Sequence, residues 1–409
     1  MRKFRYVQKL RASWRYLSRI SKRTCGMTST ALFLHMPIRG RTADPILLLA
    51  VGGLLAFSTV MVFSAAIGTH GGVAEGFKLL LKHLFSIGLA LTLGVFAASI
   101  PLQFWQRANR WLLGFGALLL ILVLIPGIGH EVNGSSRWLS LGVMRFQPSE
   151  LMKVLVVLFL ADHFVRHAQA IDSFRVSIIE PTAVVGILGA LLLLEPDLGC
   201  TAVIMMTTLG LMFLSGTRLR YILGAIAVAV CAVVVLILAA PYRLQRVSSF
   251  LDPWADPYGS GFQLVQALIA LGSGEWFGVG LGASVQKLFY LPHASNDFLV
   301  AVIGEELGLL GLILLLGLYA VILWRVFRLA RQAAYAGELF GARVAQGIGL
   351  LVVVQALFHF AVNLGVVPTK GLTLPLMSYG GSSMLVHGLA IGLVIAVQQS
   401  LSKTASRGH

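Results

Sequence analysis

Among the residues of this chain that could do chemistry, a lone aspartate and a scattered set of cations come first. Asp297 closes a polar loop, LPHASND (291–297), and the apolar run that follows it carries two further carboxylates, Glu305 and Glu306. A carboxylate at the wet end of an apolar helix can serve as a general base, whereas one deeper in the run demands a partner. From Asp297 to Glu305, a helix rises about 12 Å and turns by about 80°, which would set Glu305 deeper in the same cavity. Glu306 would then point away and need a polar group on an adjacent helix. The cations Arg137, Arg145, Lys153, Arg243, Arg246, Lys287 and Lys370 stand among Trp, Gly, Pro and Gln in three loops, not in basic runs. Groups so placed suit phosphate or diphosphate.

Two shorter motifs carry more acid. In QPSELMK (147–153), Ser149 is placed to cap a helix, and Glu150 and Lys153 have the spacing of a pair on one helical face. In LLEPDLG (193–199), Glu195 and Asp197 occupy a short turn between two apolar runs. Histidines on the outer side (His70, His83, His130, His293, His387) have no matching Ser or Cys motif for nucleophilic catalysis. No His, Cys or Asp cluster with metal spacing is readable, so no cofactor is expected, and a divalent cation has no legible ligand set. A glycosidic bond with an alkoxide leaving group ordinarily needs two carboxyl groups. A sugar on a diphosphate already has a good leaving group, so one base and several cations suffice. The residues therefore point to handling of a polyprenyl-diphosphate sugar at a membrane surface. They leave open whether that lipid is moved or polymerised.

The elements that must position these groups are membrane helices. The chain has 409 residues, of which 57% are hydrophobic and 12% charged, with a mean hydropathy of +0.85. Apolar runs predict an all-α polytopic protein with ten spans near 46–66, 83–100, 111–129, 151–165, 183–195, 198–214, 221–240, 298–323, 344–365 and 382–400. The fifth and sixth runs are separated only by Pro196 and Asp197. The first apolar run begins too late and runs too long for a cleavable signal peptide. Three scattered cysteines, Cys25, Cys200 and Cys231, suggest packing and not a disulfide framework. Ten spans place both termini on one side, and 23 of the 32 Lys and Arg residues fall there, which marks it as cytoplasmic. Residues 1–45 then form a basic cytoplasmic tail, 46–400 one membrane domain with outer loops 130–150, 241–297 and 366–382, and 401–409 a second short tail. In the N-terminal tail, Phe4, Val7, Leu10, Trp14, Leu17 and Ile20 recur every three or four residues. That pattern fits an amphipathic helix on the anionic inner leaflet or on a cytoplasmic partner, against an unstructured topogenic tail; nucleic acid is the weaker reading. Loop 130–154 reads as an interfacial hairpin or short helix, and FQLVQALIALG (262–272) is too short to span and reads as interfacial or re-entrant.

Five motifs, in order, carry a resemblance: NGSSRWLSLG…FQPSELMK, EPDLG, PYRLQRVSSFLDPWADPYGSGFQLVQALIALGSGEWFGVGLG, DFLVAVIGEELG and PTKGLTLPLMSYGGSS. Together they resemble the SEDS family (shape, elongation, division and sporulation), and DPWADPYGSGFQ and PTKGLTLPL are most similar to its cell-division branch. The resemblance implies a ten-span peptidoglycan glycosyltransferase of the bacterial cytoplasmic membrane. Such a protein polymerises lipid II at the septum with a class B penicillin-binding protein (the septal transpeptidase) and other division proteins. It implies Asp297 as the base for the acceptor sugar's 4-hydroxyl, and Arg137, Arg145, Lys153, Arg243, Arg246 and Lys370 on the diphosphate or the local fold. Gln263, Gln266 and Glu150 are then candidates for sugar contacts or loop anchoring, with Glu305 in support. Many relatives have His-Thr before the aspartate, where this chain has Ser295 and Asn296, so no role of that pair carries over. Either residue could donate hydrogen bonds or cap the helix that follows.

Overall fold

A computed structural model of the chain describes residues 43–407, apart from positions 70–71, 133–134, 141, 143–144, 240, 289 and 293. The basic tail and its amphipathic pattern lie outside the described residues. Twelve helices are described: α1 Pro45–Thr69, α2 Val73–Ser99, α3 Leu102–Leu124, α4 Pro148–Arg166, α5 Glu180–Leu194, α6 Leu198–Leu214, α7 Leu219–Leu238, α8 Pro241–Leu251, α9 Phe262–Ser273, α10 Leu299–Tyr335, α11 Leu339–Asn363 and α12 Gly381–Arg407. Each of the ten apolar runs falls on one of them. By length and apolar composition seven qualify as spans: α1, α2, α3, α5 with the π turn before it, α10, α11 and α12. The other three are apolar but short (α6, α7) or interrupted by Glu150, Lys153, Asp162 and Arg166 (α4). The protein is thus a polytopic membrane protein. The stretch between α3 and α4 adds a three-stranded antiparallel sheet, β1 Gly129–Val132, β2 Ser135–Ser140 and β3 Arg145–Phe146, to the all-α expectation.

Burial separates the centre of the bundle from its lipid face. The apolar windows of α11 and α12 are 67% and 72% buried, against 22–39% for the other five spans. α4 is buried along nearly its whole length, which explains how a helix with four charged groups is held in an apolar bundle: other helices, not lipid, surround it. Between α2 and α12 the backbones touch. A Cβ at Gly388 or Gly392 would overlap the carbonyls of Ala90 and Gly94, the close approach that small residues permit between membrane helices.

The long span at 298–323 is not one continuous helix. Gly308 takes φ 62° and ψ −161° and breaks α10, and a side chain there would collide with the backbone of Trp276, Phe277 and Gly278. The segment 275–280 enters the break and completes its hydrogen bonds. Val279 and Gly280 donate to the Glu305 and Glu306 carbonyls at 2.9 and 3.1 Å, while Leu309 and Leu310 donate to the Glu275 and Trp276 carbonyls at 2.9 and 3.2 Å. Irregular backbone at membrane depth is tolerated where protein satisfies it in this way. Gly278, Gly280 and Gly282 all have positive φ, and they let the segment turn closely enough to fit.

Candidate active site

Asp297 precedes α10; the cap position is Phe298, with no side-chain cap. Side chains from other elements clamp the backbone here. Asn363, at the end of α11, donates to the Asp297 carbonyl at 3.1 Å and accepts from the Ala301 amide at 3.0 Å. Ser378 and His359 donate to the Asn296 carbonyl at 2.6 and 3.3 Å, and the Tyr379 amide donates to the Ser295 carbonyl at 3.0 Å. The expectation that Ser295 or Asn296 caps the helix therefore fails: the Ser295 hydroxyl donates to the Asn296 side chain, and tertiary partners hold the turn.

The half-buried Asp297 carboxylate rests against Gly371. A Cβ on that glycine would stand 2.9 Å from Asp297 Oδ2, so the glycine admits the acid to the loop that carries Lys370. The Lys370 stem packs against Gly199 at the start of α6, and its ammonium donates to the Pro196 carbonyl at 3.3 Å. Arg137, on β2, donates to the Glu195 and Pro196 carbonyls at 2.8 and 2.7 Å. Arg137 and Lys370 thus converge on the EPDLG turn, and Asp297 lies against the glycine that follows Lys370. Arg246, on α8, lies within electrostatic reach of Lys370.

The electrostatics of this turn are unbalanced. Burial lowers the Lys370 pKa to about 8, with Arg137 and Arg246 adding to the effect and Asp197 opposing it. Glu195 moves the other way: burial, reinforced by the Asp197 charge and partly offset by Arg137, raises it to about 8, so it is neutral at pH 7. Both of its carboxyl oxygens are buried without a hydrogen-bond partner among the described residues. Burial of Asp197 opposes its charge, but Arg137, Cys200 and Lys370 outweigh that and hold it below the usual carboxylate value. Asp197 caps α6 through the Cys200 amide at 3.2 Å and accepts from the Ser149 hydroxyl at 3.0 Å. Ser149 is therefore a tertiary donor and not the cap of α4, whose cap position is Gln147 and whose first turn holds Pro148.

Several expected residues have other surroundings. Lys153 is fully buried, paired with Glu150 at 2.8 Å and donating to Gln355 at 2.7 Å. Gln355 in turn donates to the Thr373 carbonyl at 2.8 Å, so this chain of contacts positions the Lys370 loop from below. Glu305 does not share the Asp297 cavity. Asp297 is outside the helix, and the Glu305 carboxylate is taken up by the 284–286 turn, accepting from the Ser284 hydroxyl and from the Val285 and Gln286 amides at 2.9 and 3.3 Å. Glu306 has the partner on a neighbouring helix that its direction required: Ser64 on α1 at 2.6 Å, with Lys287 at 2.6 Å and the Gly282 amide at 3.0 Å. Lys287 is therefore engaged beneath the site. Arg145 is exposed at the sheet edge, and its carbonyl accepts from Ser382 at 3.2 Å. Gln263 is exposed and Gln266 half-buried on α9. Arg243 lies in α8, and its side chain is outside the described residues. Asn363, His359 and Ser378 had no local signal; they enter the site only because α11 and the 374–379 turn close over Asp297. One group of three metal-ligand types does assemble, His163, His167 and Glu180, against the expectation of no metal spacing. It lies at the other end of α4.

A bundle of apolar helices with an acid and cations gathered under loops at one end is the architecture of a polytopic membrane protein with a surface site. The chain belongs to the cell cycle protein family that takes in FtsW, RodA and SpoVE, whose profile matches residues 45–403. It is 48% identical over 354 residues to the probable peptidoglycan glycosyltransferase FtsW of Thioalkalivibrio sulfidiphilus, covering 86% of this chain and 88% of that one. With the FtsW of Allochromatium vinosum, named in the same words, it is 44% identical over 372 residues, 90% and 93% of the two chains. Among solved structures, it is similar to a chain described under the structural coordination of polymerization and crosslinking by a peptidoglycan synthase complex. There the TM-score is 0.69 at 30% identity, over 88% of this chain and 98% of that one. The Thermus thermophilus rod shape determining protein RodA superposes with a TM-score of 0.63 at 29% identity, over 87% and 97%.

Proposed function

We propose that this chain is a peptidoglycan glycosyltransferase that polymerises lipid II on the outer face of the bacterial cytoplasmic membrane during septal wall synthesis. Asp297 against Gly371, in the loop whose Lys370 meets Arg137 at the EPDLG turn, carries the reading, and the similarity to FtsW chains over most of the length supports it. Asp297 takes the proton from the acceptor sugar's hydroxyl. The freed oxygen attacks the anomeric carbon of the donor, the bond from that carbon to the diphosphate oxygen breaks, and undecaprenyl diphosphate leaves. Arg137, Lys370 and Arg246 face the charge that develops on the leaving group, where preorganised cations accelerate reaction most. Lys153, Glu150 and Glu305 act one layer below by holding the loops, and Arg145, Arg243, Gln263 and Gln266 are assigned to the rim. The partner is a class B penicillin-binding protein, with other division proteins around it.

Transport of lipid II across the bilayer would draw on free charge at mid-membrane. Lys153 is instead engaged by Glu150 and Gln355, Glu305 by the 284–286 turn, and Glu306 and Lys287 by each other and Ser64, which favours polymerisation. The test uses the purified full chain with its transpeptidase partner and fluorescent lipid II, comparing wild type with Asp297→Asn on a glycan gel. Polymer from wild type and none from the folded variant is the expected result. Equal polymer from both would remove Asp297 as base, and bilayer scrambling without polymer from either would favour transport.

A further inference from the structure

We infer that the chain carries a transition-metal site, suited to Zn²⁺, built from His163, His167 and Glu180 at the end of α4 remote from Asp297. One ring nitrogen of each histidine and one oxygen of Glu180 lie within 4.8 Å of one another. A tetrahedral ion with bonds of ~2.0–2.1 Å sets its ligands ~3.3 Å apart, a difference that side-chain rotation at a helix end can close. His163 and His167 stand four residues apart on α4, so both rings leave the helix on one face, and their centroids are 4.7 Å apart. The site is independent of the one above: Glu150 to His163 is about 20 Å along the helix.

The hydrogen bonds orient both rings. His163 Nε2 stands 2.9 Å from the Val176 carbonyl, and His167 Nδ1 stands 3.0 Å from the His163 carbonyl. A carbonyl only accepts, so each of those nitrogens carries a proton, and it is the other nitrogen of each ring that a metal would take. This is the arrangement by which metal-binding histidines are oriented, with the second N–H on a backbone carbonyl. Val176 belongs to a single π turn, Arg175–Ile179, immediately before Glu180, and such turns are frequent at functional sites. Phe159 and Phe164 flank His163 and account for its burial, but not for the arrival of a second imidazole and a carboxylate. Competing charges are weak or occupied. Arg175 approaches Glu180 at 3.4 Å but is largely exposed, while Asp162 is held by Arg166 at 2.6 Å and by Gln106 at 3.1 Å. Two imidazoles and a carboxylate are a donor set for Zn²⁺, and three protein donors leave a fourth tetrahedral position for water or for a group from another molecule. A bound ion would fasten the end of α4 to the start of α5.

The test is metal binding by the full chain, purified with a tag that contains no histidine and stripped with a chelator. Titration with Zn²⁺ alone is expected to saturate at one ion per chain and to raise the melting temperature. Co²⁺ is expected to give the visible absorption bands of a four-coordinate ion. His167→Ala changes a half-exposed residue near the helix end and should weaken Zn²⁺ binding by at least ~10–100-fold, the loss that even an outer-shell partner produces. Glu180→Gln should do so as well and should alter the Co²⁺ spectrum. Absence of saturable Zn²⁺ binding, or equal affinity in wild type and His167→Ala, overturns the site.

Discussion

Two clusters of charge in this protein are built differently. Where α1 meets α10, Lys287, Glu306 and Ser64 form a closed set: the ammonium bonds both partners, and the carboxylate also takes the Gly282 amide. At the EPDLG turn, Lys370 has a single carbonyl contact at 3.3 Å, Glu195 has none for its carboxyl, and the pKa values of both are displaced to about 8. Saturated charges hold backbone in place, here the loop threaded through the break in α10. Charges left short of partners are poised for a ligand that brings its own. The difference separates the two clusters better than burial does, because Glu195 and Asp197 are as buried as Lys287 and Glu306.

The comparison can be broken most decisively at Asp297. Loss of a general base costs ~10²–10⁴ in rate, so Asp297→Asn should abolish detectable glycan while leaving the melting temperature unchanged. Breaking the closed cluster should do the reverse. Lys287→Met strands a buried carboxylate and should lower stability by ~3–5 kcal/mol, read by unfolding in detergent. Combining it with Glu306→Gln should restore part of that loss, and strict additivity of the two would show that the pair is not coupled. Gly371→Ala sets a methyl group against the Asp297 carboxylate; a displaced base should reduce turnover by up to ~10²-fold, with little change in melting temperature. Lys370→Ala should raise KM for lipid II by ~10-fold, the scale of a lost charge-assisted hydrogen bond. Its pH dependence sharpens the point. On the proposed function, protonated Lys370 is the form that would bind diphosphate, and its pKa is lowered to about 8, so kcat/KM should fall as pH rises through about 8. In Lys370→Arg that alkaline limb should move beyond the accessible range, because a guanidinium stays charged.

Much of this molecule is legible along the chain. Apolar runs locate the helices because lipid allows no other way to satisfy a spanning backbone. Asp297, the i,i+3 pair of Glu150 and Lys153, and the short helix at 262–273 follow from local spacing and length. The break at Gly308 was not legible. A glycine within an apolar run is common, and only the arrival of residues 275–280 gives its positive φ a purpose. The same holds for the cations, which the sequence offers as one set. Tertiary contacts divide them, sending Lys153 and Lys287 to closed pairs and Lys370 and Arg137 to the EPDLG turn. Sequence determined which groups exist and which segments lie in the membrane, since hydropathy and period act over a few residues. Only the tertiary structure decided which charges are satisfied, because that depends on partners brought together from helices far apart in the chain.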